Sequence, residues 1–200
     1  MCPPKRRNNL KKGIKRLFNL LEFIIFVFLI YYLFFINVDI KKARFPIKYE
    51  ETVTKYSEEY ELDPLMIYSI IKVESSFDEN AESNKGARGL MQITPSTGEW
   101  IAEKLKIEEF HSDDLFIPEI NIMMGTWYFN YLAEKFDNDI SLVIAAYNAG
   151  PGKVQNWLKD KETSENGQDL NNIPYKETEN YIKKFDNTYE QYKELYKNNE

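Results

Sequence analysis

Residues 63–77 read DPLMIYSIIKVESSF, and the fold class turns on this stretch. Asp63 before Pro64 forms an N-cap and first-turn pair: a short acceptor side chain meets the free amides, and proline's fixed φ suits the first helical position. Leu65, Met66, Ile70 and Val73 carry the helix onward, and Glu74 ends it. Upstream, Val53, Tyr56 and Tyr60 recur at helical spacing. Downstream, Ser83 to Gly89 (SNKGARG) is rich in turn formers and predicts a loop or a small hairpin, after which Thr94 and Pro95 restart a helix. Pro118 opens the longest of the later helices, with Ile120, Met124, Trp127, Tyr131 and Leu132 on one face. Asp139 caps another that runs to Tyr147, and Gly150-Pro151-Gly152 stops it. A short helix carries Val154, Trp157 and Leu158, a hydrophilic surface loop spans Lys159 to Asn172, and Tyr181, Phe185, Tyr189, Tyr192 and Tyr196 mark a last helix. The expected fold is all-α with minimal β structure.

Ahead of this domain the sequence changes character. Leu17 to Val38 reads LFNLLEFIIFVFLIYYLFFINV, with no charged residue from Phe23 to Ile36. At ~1.5 Å per residue it reaches about 30 Å, the thickness of a bilayer core. Glu22 and Asn19 lie near one end, within reach of headgroups. The alternative, a cleaved signal peptide, fits the basic residues that precede the run but not its length or the lack of a small-x-small site after it. The tail before it holds Lys5, Arg6, Arg7, Lys11, Lys12, Lys15 and Arg16 and no acid. That excess of basic residues predicts a cytoplasmic N-terminus and an external C-terminal domain. The expected division is a basic tail over 1–16, a transmembrane helix over 17–38, a linker over 39–48 and a catalytic domain over 49–200. Cys2 precedes the apolar run, so it is no lipobox cysteine; it reads as an inert cytosolic thiol rather than a palmitoylation site.

Composition narrows the chemistry. The 200-residue chain is 43% hydrophobic and 29% charged, with one Cys and one His, which leaves no disulfide framework, Cys-cluster metal site or His-rich centre. His111 follows an acidic loop and reads as surface. No GxSxG elbow, phosphate-binding loop, HExxH or calcium loop is present. The net charge of −6 averages a basic tail and an acidic domain. From Phe45 onward there are 16 basic and 30 acidic residues, a balance that repels nucleic acid. The remaining candidates are carboxylates, and Glu74 stands apart. Ile70 and Ile71 lie one turn behind it and Phe77 just ahead, so desolvation should raise its pKa toward that of a general acid.

Four ordered motifs then point further. Glu74-Ser75-Ser76-Phe77, Gly89-Leu90-Met91-Gln92 before Thr94-Pro95, Ala146-Tyr147-Asn148-Ala149-Gly150-Pro151-Gly152, and Glu177-Thr178 with Tyr181 three residues on resemble the soluble lytic transglycosylase domain. The likeness runs from about Tyr49 to Tyr196 and includes Asn121-Ile122 and Gly125. It implies a lysozyme-like helical fold and cleavage of peptidoglycan between N-acetylmuramic acid and N-acetylglucosamine, leaving a 1,6-anhydro end. It implies Glu74 as general acid and then base toward the muramyl C6 hydroxyl, with no metal or cofactor. It places Ser83 and Gln92 against the sugar and its N-acetyl group, and Tyr147 and Asn148 opposite Glu74, with Tyr147 able to donate to the carboxylate. Met91 and Tyr181 would present apolar and aromatic surface to pyranose rings, with the Tyr181 hydroxyl free for polar contacts, although Met91 also reads as plain core; Glu177 reads either as a substrate-binding residue or as one that caps or braces the last helix.

Direct inverting hydrolysis normally needs a second carboxylate, and Ser83 to Gly98 contains none. Asp78, Glu79 and Glu82 lie nearby in sequence and keep a water-using muramidase as an alternative, beside a non-catalytic wall-binding module. Thr94 stands where some members of the family place a second Met, and it also reads as a helix cap. The expected partners are peptidoglycan strands, and the cytoplasmic membrane through residues 17–38.

Overall fold

The computed structural model of the chain describes residues 4–197, so Cys2 lies outside the described residues. Two units are distinguished, Met1–Pro46 and Ile47–Glu200. The first contains one helix, α1 (Pro4–Arg44), of 41 residues. Its stretch Ile14–Arg44 has a mean hydropathy of 2.4 over its most apolar 18 residues and is long and apolar enough to cross a membrane. Phe23, Phe28 and Phe34 are among its exposed side chains. The sequence divided this region into tail, span and linker, yet one helix runs without a break from Pro4 to Arg44. No proline interrupts residues 5–45, and Pro46 disfavours helix at the residue before it, which is where α1 stops.

The second unit holds α2 (Glu50–Glu59), α3 (Pro64–Glu74), α4 (Pro95–Leu105), a 3-10 turn (Ser112–Phe116), α5 (Pro118–Lys135), α6 (Ile140–Ala149), α7 (Pro151–Lys159) and α8 (Lys176–Tyr196). The starts follow local chemistry. Asp63 accepts from the Leu65 amide at 2.8 Å, Thr94 from Thr97 at 3.2 Å and Asp139 from Leu142 at 3.1 Å. Proline occupies the first helical turn of α3, α4, α5 and α7. His111 is exposed and precedes the 3-10 turn.

The core forms where α3 lies against α2 and α8, while α6 packs on α5, α7 and α8. Ile67, Ile70 and Ile71 of α3, Leu142 to Ala146 of α6, and Phe185, Tyr192 and Leu195 of α8 are buried together with Phe129 and Leu132 of α5. The stripe expected on α5 is only partly right. Met124 and Leu132 are buried, but the buried face also takes Asn121, Ile122, Gly125 and Phe129, and Trp127 and Tyr131 are half-exposed beside Trp100. A polar and a small residue, Asn121 and Gly125, belong where that face meets the loop, while other parts of α5 pack on α2 and α6.

That loop, residues 75–94, is the one part of the domain with β character. Isolated antiparallel bridges join Glu82 to Arg88 and Arg88 to Ile93, and no longer strand occurs among the described residues. Asn121 stitches the loop to α5: its Nδ2 donates to the carbonyls of Arg88 (2.9 Å) and Leu115 (2.7 Å), and its Oδ1 accepts from the Met91 amide at 2.7 Å. Gly89 is required at the same point. Its φ is +73°, and a Cβ there would lie 2.1 Å from the Leu115 carbonyl oxygen.

Candidate active site

Glu74 ends α3 at an abrupt break. The next residues, Ser76 and Phe77, both have positive φ (54° and 69°), and the Phe77 amide turns onto Ser75 Oγ at 3.1 Å. Such conformations are costly for side chains of this kind and persist only where the surroundings over-determine them. Ile70, Ile71 and Phe77 are buried around the carboxyl, as the sequence suggested. Burial pushes the Glu74 pKa up to about 7, against the opposing effects of a hydrogen bond from Tyr181 and the charge of Lys184. The Tyr181 hydroxyl donates to Glu74 Oε1 at 2.5 Å, and Lys184 Nζ donates to the Val73 carbonyl at 2.7 Å.

The site residues expected from sequence meet with different fates. Tyr181 was expected as a carbohydrate surface with its hydroxyl free for polar contacts, and that hydroxyl donates to Glu74. Tyr147 was expected to make that bond. Its hydroxyl goes to the Met91 carbonyl at 2.9 Å, close enough to Glu74 that the carboxylate's charge adds to burial in raising the Tyr147 pKa. Met91 is not a sugar-facing surface: its side chain is fully buried against Gly125, where a Cβ would lie 2.4 Å from Met91 Sδ. What Met91 offers the site is its backbone carbonyl.

Gln92 has a φ of 50°, and its Nε2 donates to the carbonyls of Ala81 and Gly89, each at 3.0 Å. With both amide hydrogens committed, its Oε1 remains to accept from a ligand. Asn148 accepts from the Thr178 hydroxyl at 2.8 Å, which leaves its amide hydrogens to donate. Ser83 is exposed and shapes its own turn, accepting from the amides of Lys85 (3.3 Å) and Ala87 (3.0 Å). Glu177 is also exposed, at 3.6 Å from Lys85 Nζ, so this loose ion pair joins the loop to the first turn of α8. Neither Ser83 nor Glu177 is hydrogen-bonded to Glu74 or its neighbours. Thr94 is the cap of α4 and also borders the cleft.

The cleft has a volume of about 230 Å³ and is lined by Gln92, Thr94, Thr97, Tyr128, Tyr147 and Asn148, among others. Tyr147 connects it to Glu74. A second depression of about 390 Å³ shares Thr97 and Tyr128 and adds Trp100, Tyr131 and Pro151. Tyr128 meets the Tyr147 ring at 5.5 Å between centroids, and Trp100 meets Tyr131 at 5.0 Å. Apolar ring faces beside polar tips suit the mixed surface of a sugar. Sequence reading missed Tyr128, Trp100 and Lys184, and it quoted Thr178 in a motif without its bond to Asn148. The aromatics of α5 carried a signal, their density between Trp127 and Tyr131, but it was absorbed into a core stripe. Among the described residues, no group of three His, Cys, Asp or Glu side chains is placed to hold a metal.

The chain is thus a helical domain with a desolvated carboxylic acid near an aromatic groove, and comparison with known proteins makes its class specific. Residues 51–170 match the Transglycosylase SLT domain model, and the chain belongs to that family. It is 33% identical over 147 residues to the soluble lytic murein transglycosylase of Salmonella typhimurium, covering 72% of this chain and 23% of that protein. It is 31% identical over 173 residues to membrane-bound lytic murein transglycosylase C of Edwardsiella ictaluri, covering 74% of this chain and 47% of that protein. The structure of the 70 kDa soluble lytic transglycosylase of Escherichia coli superposes with a TM-score of 0.69 at 30% identity, over 78% of this chain and 25% of that one. The chain thus spans about a quarter of the length of the soluble relatives it matches.

Proposed function

We propose that the chain is a membrane-anchored lytic transglycosylase that cleaves the β-1,4 bond between N-acetylmuramic acid and N-acetylglucosamine in peptidoglycan. The observation that carries this reading is the state of Glu74, a carboxyl pushed up to about 7 by burial, with no carboxylate among the groups that shift it. At neutral pH such a group is protonated often enough to give its proton to the glycosidic oxygen as the C1–O bond breaks. The carboxylate so formed takes the proton of the muramyl C6 hydroxyl while that oxygen bonds to C1. Glu74 ends protonated again, no water is consumed, and a 1,6-anhydro ring closes the chain end.

Hydrolysis by direct displacement would call on a second carboxylate to activate water. The nearby acids are engaged elsewhere: Asp78 accepts from the Asn80 amide, Glu79 from the Tyr49 hydroxyl and Glu82 from Arg88. The Gln92 carbonyl and Asn148 amide suit an N-acetyl group, which offers one donor and one acceptor, and Trp100, Tyr128 and Tyr131 suit the ring faces of further sugars. Relatives agree with this reading: a Glu-to-Gln mutant of lytic transglycosylase Slt from Pseudomonas aeruginosa is inactive, and a 70-kDa soluble lytic transglycosylase forms a complex with bulgecin A. Residues 17–38 serve as the anchor, residues 1–16 lie in the cytoplasm, and the domain over 49–200 acts on the outer side.

The deciding experiment is mass analysis of muropeptides released from isolated cell walls. Anhydro-muramyl products are expected. Products heavier by one water would replace transglycosylation with hydrolysis, and no release of glycan by the folded protein would overturn the enzymatic reading.

A further inference from the structure

Residue Phe77 is four positions after Val73, and in a continued helix its amide would donate to the Val73 carbonyl. It does not, because positive φ at Ser76 and Phe77 turns that amide onto Ser75 Oγ. The Val73 carbonyl is therefore an orphan acceptor at the negative end of α3, one residue before Glu74. Lys184 of α8 fills the vacancy with its ammonium at 2.7 Å. Tyr181, one turn earlier on α8, reaches Glu74 Oε1 at 2.5 Å, so neighbouring positions of one helix hold a backbone carbonyl and the adjacent side chain. At the far end of α3, the Tyr189 hydroxyl donates to Asp63 Oδ2 at 2.7 Å. The two helices run antiparallel, joined at both ends by polar bonds, and the Lys184 bond lies where α3 is broken.

We propose that Lys184 is a positioning residue for Glu74, holding the interrupted end of α3 so that the carboxyl stays seated against Tyr181. The proposal rests on the reading of Glu74 as the catalytic acid. A helix terminus with an unsatisfied carbonyl frays, and fraying by one turn would swing Glu74 away from both Tyr181 and the cleft. An ammonium suits this place better than a neutral donor because it also opposes the helix dipole. Facing the carboxyl are Tyr147 from α6 and Tyr181 and Lys184 from α8. Lys184 is the cation of the set and favours the ionised form, in which Glu74 must receive the C6 proton.

The test compares the full chain with Lys184→Met, which keeps the stem but removes charge and donor, and Lys184→Arg, which keeps both. Two readouts are taken, the Glu74 carboxyl titration followed by carbon NMR and the steady-state rate on wall glycan. In Lys184→Met the titration is expected to move upward, and kcat at pH 7 to fall about tenfold while KM changes less than about twofold; Lys184→Arg should restore both. Lys184→Gln covers the case in which the methionine variant does not fold, with the same upward shift expected. An unchanged titration and kcat in a folded Lys184→Met or Lys184→Gln protein would overturn the proposal, as would failure of Lys184→Arg to restore them. The NMR readout needs no turnover. If the titration shifts while Glu74→Gln remains active, positioning stands and the catalytic reading of Glu74 fails.

Discussion

In the proposed reaction Glu74 has two tasks in one cycle, giving a proton to an ether oxygen and taking one from a hydroxyl, and a pKa near the working pH serves both. Burial raises the value from 4.5 to about 7, and Tyr181 and Lys184 restrain it from going higher. Because the free enzyme must hold Glu74 protonated to begin, kcat/KM should fall as pH rises through about 7, with a slope of one proton, in a pH–rate profile on soluble glycan fragments. The same shift bears on stability. A folded-state pKa above the unfolded value means that folding favours the protonated form, so stability is fully present below about 4.5 and is lost as pH climbs through about 7. Glutamine is neutral at every pH and escapes that loss. Glu74→Gln should therefore abolish wall cleavage, by at least about a thousandfold, yet melt higher than the parent at pH 8, by up to about 3 kcal/mol. A variant both inactive and less stable at pH 8 would show that Glu74 is held mainly by contacts glutamine cannot make.

Single elements show which parts of the fold were legible in the sequence. Helix starts at Asp63-Pro64, Thr94-Pro95 and Asp139 could be read directly because a cap and its amide lie within three residues of each other. The partner of Glu74 could not, since Tyr181 lies 107 residues away and residue type alone does not say whether Tyr147 or Tyr181 makes the bond. Met91 was open between core and sugar surface for a related reason: apolarity is the same signal whether a side chain faces a sugar or Gly125. The role of Asn121 was also hidden, although its motif was visible. Two of its hydrogen bonds join the loop over 75–94 to α5, and a third reaches Leu115 in the 3-10 turn. Asn121→Ala strands the Met91 amide and two buried carbonyls, so it should cost about 2–4 kcal/mol by chemical denaturation and reduce activity by loosening Gln92 and the Met91 carbonyl beneath Tyr147. Full stability in Asn121→Ala would mean that water replaces all three bonds and that the loop does not depend on α5.

Across the whole molecule, the proposed orientation rests on charge rather than on packing. Seven basic residues and no acid precede Leu17, whereas the part from Phe45 onward carries 16 basic and 30 acidic residues. On the proposed topology, the excess of Lys and Arg on one side of the apolar stretch of α1 would retain that side in the cytoplasm, while acidic residues contribute little to the choice. Basic residues also follow the span at Lys41, Lys42 and Arg44, so the bias is a difference of seven against three rather than all against none. The prediction can be checked with the two ends of one chain. Asn156 is exposed on α7, outside the cleft, and Asn156→Cys should react with a membrane-impermeant thiol reagent on intact cells whose wall admits it. Cys2 should be protected until the membrane is opened. Labelling of Cys2 alone would reverse the orientation, and it would place Glu74 on the side of the membrane that holds no polymerised glycan. The fold and the acid would be untouched by that result, but the proposed reaction would have no substrate.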